Sequence, residues 1–201
     1  MKIVNEAHIP QTRTDWALQL AELTRIAWTG RDDRCYFPYR PLTEATEWQT
    51  KVRVAWQTGE MRSWALLDDR DQFMAHAALV QKPDYWELGR WVARSDAPKG
   101  AMTRLCEEAM DYARKIGLRV QVECTQAHTS SQIICERLGL RFAGIGILDR
   151  IEDVTWDILY FDTEAAPPFS PEAGLLANPL GRELRTEAKH PARLREISHL
   201  L

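Results

Sequence analysis

Lys99 and Gly100 follow a Ser95-Asp96-Ala97-Pro98 turn and open an amphipathic run, so a cation stands beside amides that a helix leaves unpaired in its first turn. That combination suits an anion of phosphate size, because the amides, the helix dipole and the ammonium all favour negative charge. Gly100 would let a ligand approach the backbone closely. The plainer alternative is an ordinary strand-to-helix connection in which Pro98 and Gly100 only shape the turn. A second cluster, Thr29 to Pro41, gathers Arg31, Arg34 and Arg40 around Cys35, Tyr36, Phe37 and Tyr39. It could line a binding pocket from a loop, or pack its aromatics on the core.

Other chemistries find little support. Cys35, Cys106, Cys124 and Cys135 have neither zinc spacing nor the density of a disulfide framework, so no metal is expected and a reducing cytosol is. His76 lies in an apolar strand pattern, the setting of a packed or hydrogen-bonded histidine. No Gly-x-Ser-x-Gly elbow occurs. A net charge of −3 gives no general footprint for nucleic acid or an anionic membrane. No apolar run is long enough to span a bilayer, and no export signal opens the chain.

The elements that must position these residues follow from periodicity. Met1 to Ala7 is expected as a strand, and Thr14 or Asp15 as the cap of a helix carrying Trp16, Leu20, Leu23, Ala27 and Trp28. Thr43 to Thr58 is a second helix ended by Gly59. Met61 to Leu67 and Gln72 to Val80 flank an Asp68-Asp69-Arg70-Asp71 turn as a hairpin, which Trp86 to Arg94 extends. From Lys99, Met102, Leu105, Cys106, Ala109, Tyr112, Ala113 and Ile116 share one helical face, and Gly117 stops the helix.

Beyond it, Leu118 to Cys124 alternates as a half-buried strand. Thr129-Ser130-Ser131-Gln132 has the form of a capping box before a short helix carrying Ile133, Ile134 and Leu138. Leu140 to Leu148 and Thr155 to Asp162 are the last strands, joined by Asp149 to Val154. The Pro-containing stretch after 163 leads into a charged tail, so 1–162 is expected as the domain and 163–201 as linker and tail.

This succession resembles the GCN5-related N-acetyltransferase (GNAT) fold over roughly residues 1 to 162. The family's coenzyme turn corresponds to Arg94-Ser95-Asp96-Ala97-Pro98-Lys99-Gly100-Ala101-Met102, with Ala97 at its Gln/Arg position, Gly100 at its first Gly and Met102 at its last position. His128 to Phe142 is similar to the family's Asn…Ala…Tyr-Glu-Lys-Leu-Gly-Phe segment: Glu136, Arg137, Leu138 and Gly139 match, His128 stands for the Asn, Ser131 for the small residue and Cys135 for the Tyr. The resemblance implies an α/β (α+β) fold with a mixed, mostly antiparallel central sheet and helices on both faces.

It also implies acetyl transfer from acetyl-coenzyme A, or another acyl-coenzyme A, to an amine of a small molecule or peptide by direct attack. In that reading amides of Trp91, Val92 and Ala93 hold the pantetheine and acyl carbonyl. Those of Lys99, Gly100, Ala101, Met102 and Thr103 grip the diphosphate, with Lys99 or Arg94 adding charge. His128 and Ser131 flank the coenzyme, Glu87 is the base acting through a water, and Cys135 is the general acid. Tyr36, Phe37 and Tyr39, with Asp149 to Val154, are the expected acceptor-binding segments. Three alternatives stay open: a non-catalytic acyl-coenzyme A or partner-binding module, a phage-type enzyme acting on nucleic acid, and an enzyme using an acyl-carrier-protein donor. A homodimer is left open as well.

Overall fold

A computed structural model describes residues 1–9, 15–28, 45–125, 128–145, 149–151, 154–156 and 158–164. Tyr36, Phe37 and Tyr39 lie outside these residues, as does the tail from 165 onward. The elements run β1 (Lys2–Asn5), α1 (Trp16–Trp28), α2 (Ala45–Thr58), β2 (Met61–Leu67), β3 (Phe73–Gln81), β4 (Trp86–Ala93), α3 (Ala101–Lys115), β5 (Val120–Thr125) and α4 (Thr129–Arg137). Then come β6 (Arg141–Ile145), β7 (Asp149–Ile151), β8 (Val154–Trp156) and β9 (Ile158–Asp162). The described residues form two compact units, one reaching to Val120 and the other beginning at Gln121.

In the first unit β1, β2, β3 and β4 form an antiparallel ladder in chain order, the expected meander. Strand alternation sends successive β2 side chains to opposite faces. Met61, Ala65 and Leu67 join Trp16, Leu20 and Leu23 of α1 and Val52 of α2 in one buried cluster. On the other face Trp64 meets Tyr112 of α3 edge-on, with ring centroids 5.7 Å apart. Helices therefore cover both faces of this sheet, as expected. Leu105, Cys106, Ala109 and Ala113 make the buried stripe of α3, but Ile116 is 50% exposed while Ala101 and Met110 are buried. Ile116 leaves the stripe because it sits past the last helical residue, where 3.6 residues per turn no longer apply.

In the second unit β9 pairs antiparallel with both β5 and β6. Three expectations fail there. Asp149 to Val154 is not simply a connection, since β7 and β8 pair as a small antiparallel ladder. The buried face of α4 is Ser131, Gln132 and Cys135, whereas Ile133 and Ile134 are only partly buried. Nor is a capping box formed: the N-cap is His128, Thr129 is already helical, and no side chain caps the helix. Position along the helix, not hydrophobicity, decides which side faces inward over so short a segment.

Candidate active site

β4 supplies the site's backbone in the first unit. At its start Lys82 N–H donates to the Tyr85 carbonyl at 2.9 Å, a tight turn that brings β4 back along β3. The register then slips. Ala78 faces Gly89 and His76 faces Val92, so Arg90 and Trp91 together oppose the single residue Ala77. This is a β-bulge, which locally disrupts the ladder and sharpens the twist. Arg90 takes φ 59°, a left-handed conformation that L side chains adopt at a cost of about 1–2 kcal/mol.

His76 is 2% exposed, and its Nδ1 lies 3.3 Å from the Arg90 carbonyl. A carbonyl only accepts, so the proton is on Nδ1 and Nε2 keeps its lone pair. Nε2 has no hydrogen-bond partner. Burial pushes the ring's pKa down from 6.5 to about 4, with the Arg90 carbonyl bond opposing and the Arg90 charge adding to the fall.

Glu87 lies on the same face as Val80, its register partner, and its carboxylate pairs with Lys82 at 2.7 Å. Gly89 makes room for it: a Cβ there would stand 3.0 Å from Glu87 Oε1. The carboxylate thus leans along β4 toward the bulge, over a position without a side chain. Arg90, Lys82, Lys51, Glu60, Val52 and Met61 line an adjoining pocket of about 510 Å³. Sequence reasoning missed Gly89, Lys82, His76 and Arg90 as site residues; the one signal available was an isolated Gly inside a strand, which marks a bulge or a close approach.

The far end of β4 runs into the candidate anion seat. Arg94 donates twice to Asp96, at 2.8 and 2.7 Å, and this holds the exposed Asp96 carboxyl below its usual range. Ala97 N–H donates to the Arg94 carbonyl and Ala101 N–H to the Pro98 carbonyl, closing successive turns. Gly100 is the N-cap of α3 at φ 82°, a conformation that favours glycine, with no side-chain cap. A Cβ built on Gly100 would meet nothing within 4 Å, and Lys99 is exposed beside it. Arg94 is therefore committed to a neighbouring carboxylate, whereas the helix start and Lys99 face open space.

In the second unit Ser131 Oγ and His128 Nδ1 are 2.7 Å apart, and Ser131 N–H donates to the His128 carbonyl at 3.1 Å. Cys135 is buried and in no disulfide, and the same holds for Cys106 and Cys124. Burial raises the Cys106 pKa well above its ordinary value and that of Cys124 to about 12. Among the described residues no group of three or more His, Cys, Asp or Glu could hold a metal. No helix among them is long and apolar enough to cross a membrane.

A strand running through a turn into an uncapped helix start, within a mixed α/β fold, is the arrangement the acetyltransferase resemblance implies. The family model described as an acetyltransferase (GNAT) domain matches residues 10–141, and the chain belongs to this family of acetyltransferases. Solved structures share the fold. RimL, the ribosomal L7/L12 α-N-protein acetyltransferase in complex with coenzyme A joined to one of its cysteines by a disulfide, is 15% identical, covering 80% of this chain and 90% of that one at TM-score 0.62. The ribosomal-protein-S5-alanine acetyltransferase of Vibrio fischeri is 14% identical, covering 77% and 91% at TM-score 0.61. An N-acetyltransferase of Staphylococcus aureus Mu50 is 13% identical, covering 83% and 100% at TM-score 0.63. No curated protein sequence matches the chain.

Proposed function

We propose that residues 1–162 transfer an acetyl group from acetyl-coenzyme A to the amine of a small molecule or peptide by direct attack. The observation that carries this reading is the open start of α3, where Gly100 has empty space over it and no side chain caps the helix. Amides of Gly100, Met102 and Thr103 hold the diphosphate there with Lys99, the expected Ala101 amide being committed to the Pro98 carbonyl, while Arg94 acts through its pair with Asp96. Amides of Trp91, Val92 and Ala93, at the bulge and just beyond it, hold the pantetheine and polarise the acyl carbonyl. The coenzyme supplies an activated thioester.

The acceptor enters from the other end of β4. Arg90, which lines the pocket, is four residues from Arg94, about 13 Å along a strand. Glu87 takes the amine's proton through a water, and Lys82 must yield that carboxylate during the step. His128 and Ser131 are assigned to the coenzyme and Cys135 to protonating the departing thiolate. The coenzyme A–cysteine disulfide of RimL supports a cysteine thiol within reach of the coenzyme's sulfur. Tyr36, Phe37, Tyr39 and the β7–β8 segment are assigned to the acceptor, and the ribosomal-protein acetyltransferases among the relatives support a peptide or protein amine. The setting is the cytosol, and 163–201 is an appendage to the domain.

Isothermal titration with acetyl-coenzyme A, free coenzyme A and a long-chain acyl-coenzyme A tests the reading. Acetyl-coenzyme A should bind, and Lys99→Glu should weaken it about tenfold, corresponding to about 1.4 kcal/mol. No binding of any of the three sinks the reading. Because Glu87 is ion-paired, a binding module without turnover is the second reading. Unweakened affinity without thiol release on any amine would favour it.

A further inference from the structure

We propose that His76 is a positioning residue for acyl transfer: its ring holds the Arg90 carbonyl and so fixes the β4 bulge whose amides meet the acyl carbonyl. The inference rests on the acetyltransferase reading and deepens it. An ordinary core residue would not explain the arrangement. His76 is flanked in β3 by Ala75, Ala77 and Ala78, all fully buried, and stands opposite Ala65 of β2. An imidazole in such surroundings loses its water, and half of its hydrogen-bonding capacity is unmet, since Nε2 has no partner. An apolar side chain would fill the space without that cost.

What the ring gains is one bond, to the carbonyl of the residue that takes φ 59°. A non-glycine residue stays in that conformation only where its surroundings over-determine it. If Arg90 relaxed to extended backbone, the ladder would close on Ala77 and the register from Val92 onward would shift, turning the amides of Trp91 to Ala93. His76 touches no reacting atom. It acts through the Arg90 carbonyl, and only its neutral form with the proton on Nδ1 leaves Nε2 bare as found.

Titration calorimetry on three proteins, each with acetyl-coenzyme A and with free coenzyme A, reads this directly, because the two ligands differ only in the acyl group that the bulge amides would hold. Wild type should prefer acetyl-coenzyme A about threefold to tenfold, the range of one hydrogen bond. His76→Leu should erase that preference while its affinity for free coenzyme A stays within about twofold of wild type. His76→Asn, whose amide can donate from nearly the Nδ1 position, should restore it. Should His76→Leu not fold, His76→Gln, whose amide sits one carbon farther out, takes its place.

Equal weakening of both ligands would mark a merely structural role, and an undiminished preference in His76→Leu would show that the ring is idle; either overturns the proposal while the acetyltransferase reading stands. A wild type that binds neither ligand overturns both. A long-range ¹⁵N–¹H spectrum of the wild type tests the clamp independently of any ligand: the proton should be on Nδ1 at neutral pH, and a proton on Nε2 refutes the clamp.

Discussion

α3 and α4 start without a side-chain cap, yet the two starts are finished differently. α3 begins on a left-handed Gly100 with an exposed lysine before it and open space above. α4 begins on His128, whose ring is engaged with the Ser131 hydroxyl at 2.7 Å, and Ser131 is itself buried. The amides of the first start are exposed by the absence of side chains; the second is packed by them. A degenerate sequence signature at the first start is therefore tolerable, since main-chain groups carry the binding and only Gly100 has a conformation to protect. At the second start the side chains are the structure, and each change should be felt as stability.

The largest expected effect sets the conditions for any such comparison. His76 protonates near pH 4 in the folded protein against 6.5 ordinarily, because burial penalises its charged form. The unfolded chain therefore takes up a proton first, so the stabilisation is complete above pH 6.5 and is lost as pH falls toward 4. Over that window about 3 kcal/mol should disappear. Urea unfolding at pH 7 and pH 4.5 measures it, and His76→Leu should flatten the dependence; an equally steep variant would assign the loss elsewhere. Coenzyme affinities at the two starts should accordingly be compared near neutrality.

The next effect breaks the comparison if it fails. Gly100→Glu adds a carboxylate at the anion seat and strains a positive φ, and the two together should weaken coenzyme A binding about a hundredfold. Titration with coenzyme A would show it, and unchanged affinity would mean that the open start is not the seat. The smallest sharpens it. Ser131→Ala removes the bond to His128 and should cost about 1 kcal/mol of folding stability, read by urea unfolding. The assignment of Ser131 to the coenzyme predicts weaker coenzyme A binding as well, and an unchanged affinity would leave the Ser131 hydroxyl a purely structural group.

Much of the fold was legible because its signals are local. The apolar stripe of α3, the Asp-rich turn between β2 and β3 and the glycines at 59, 100, 117 and 139, all at positive φ, each act within a few residues. What was not legible depends on register. The bulge at Arg90 exists only because β3 and β4 slip past each other, and nothing in Arg90-Trp91 announces it. The Lys82–Glu87 pair likewise needs the hairpin closed before its charges meet. β7 escaped notice because a three-residue strand gives too little alternation to detect, and β8 was expected only as the start of the strand from Thr155 to Asp162. In α4, Ser131 and Gln132 were outranked by Ile133 and Ile134 on hydrophobicity alone, although a polar residue with a local partner can be buried at little cost.

The three described cysteines have a practical side. Cys106, Cys124 and Cys135 are sealed from solvent, and burial keeps the first two as thiols rather than the reactive thiolates. Those positions should stay silent toward a colorimetric sulfhydryl reagent for as long as the native structure lasts. A rising signal from them would then report unfolding, so the same reagent that follows catalysis can also monitor the integrity of the sample.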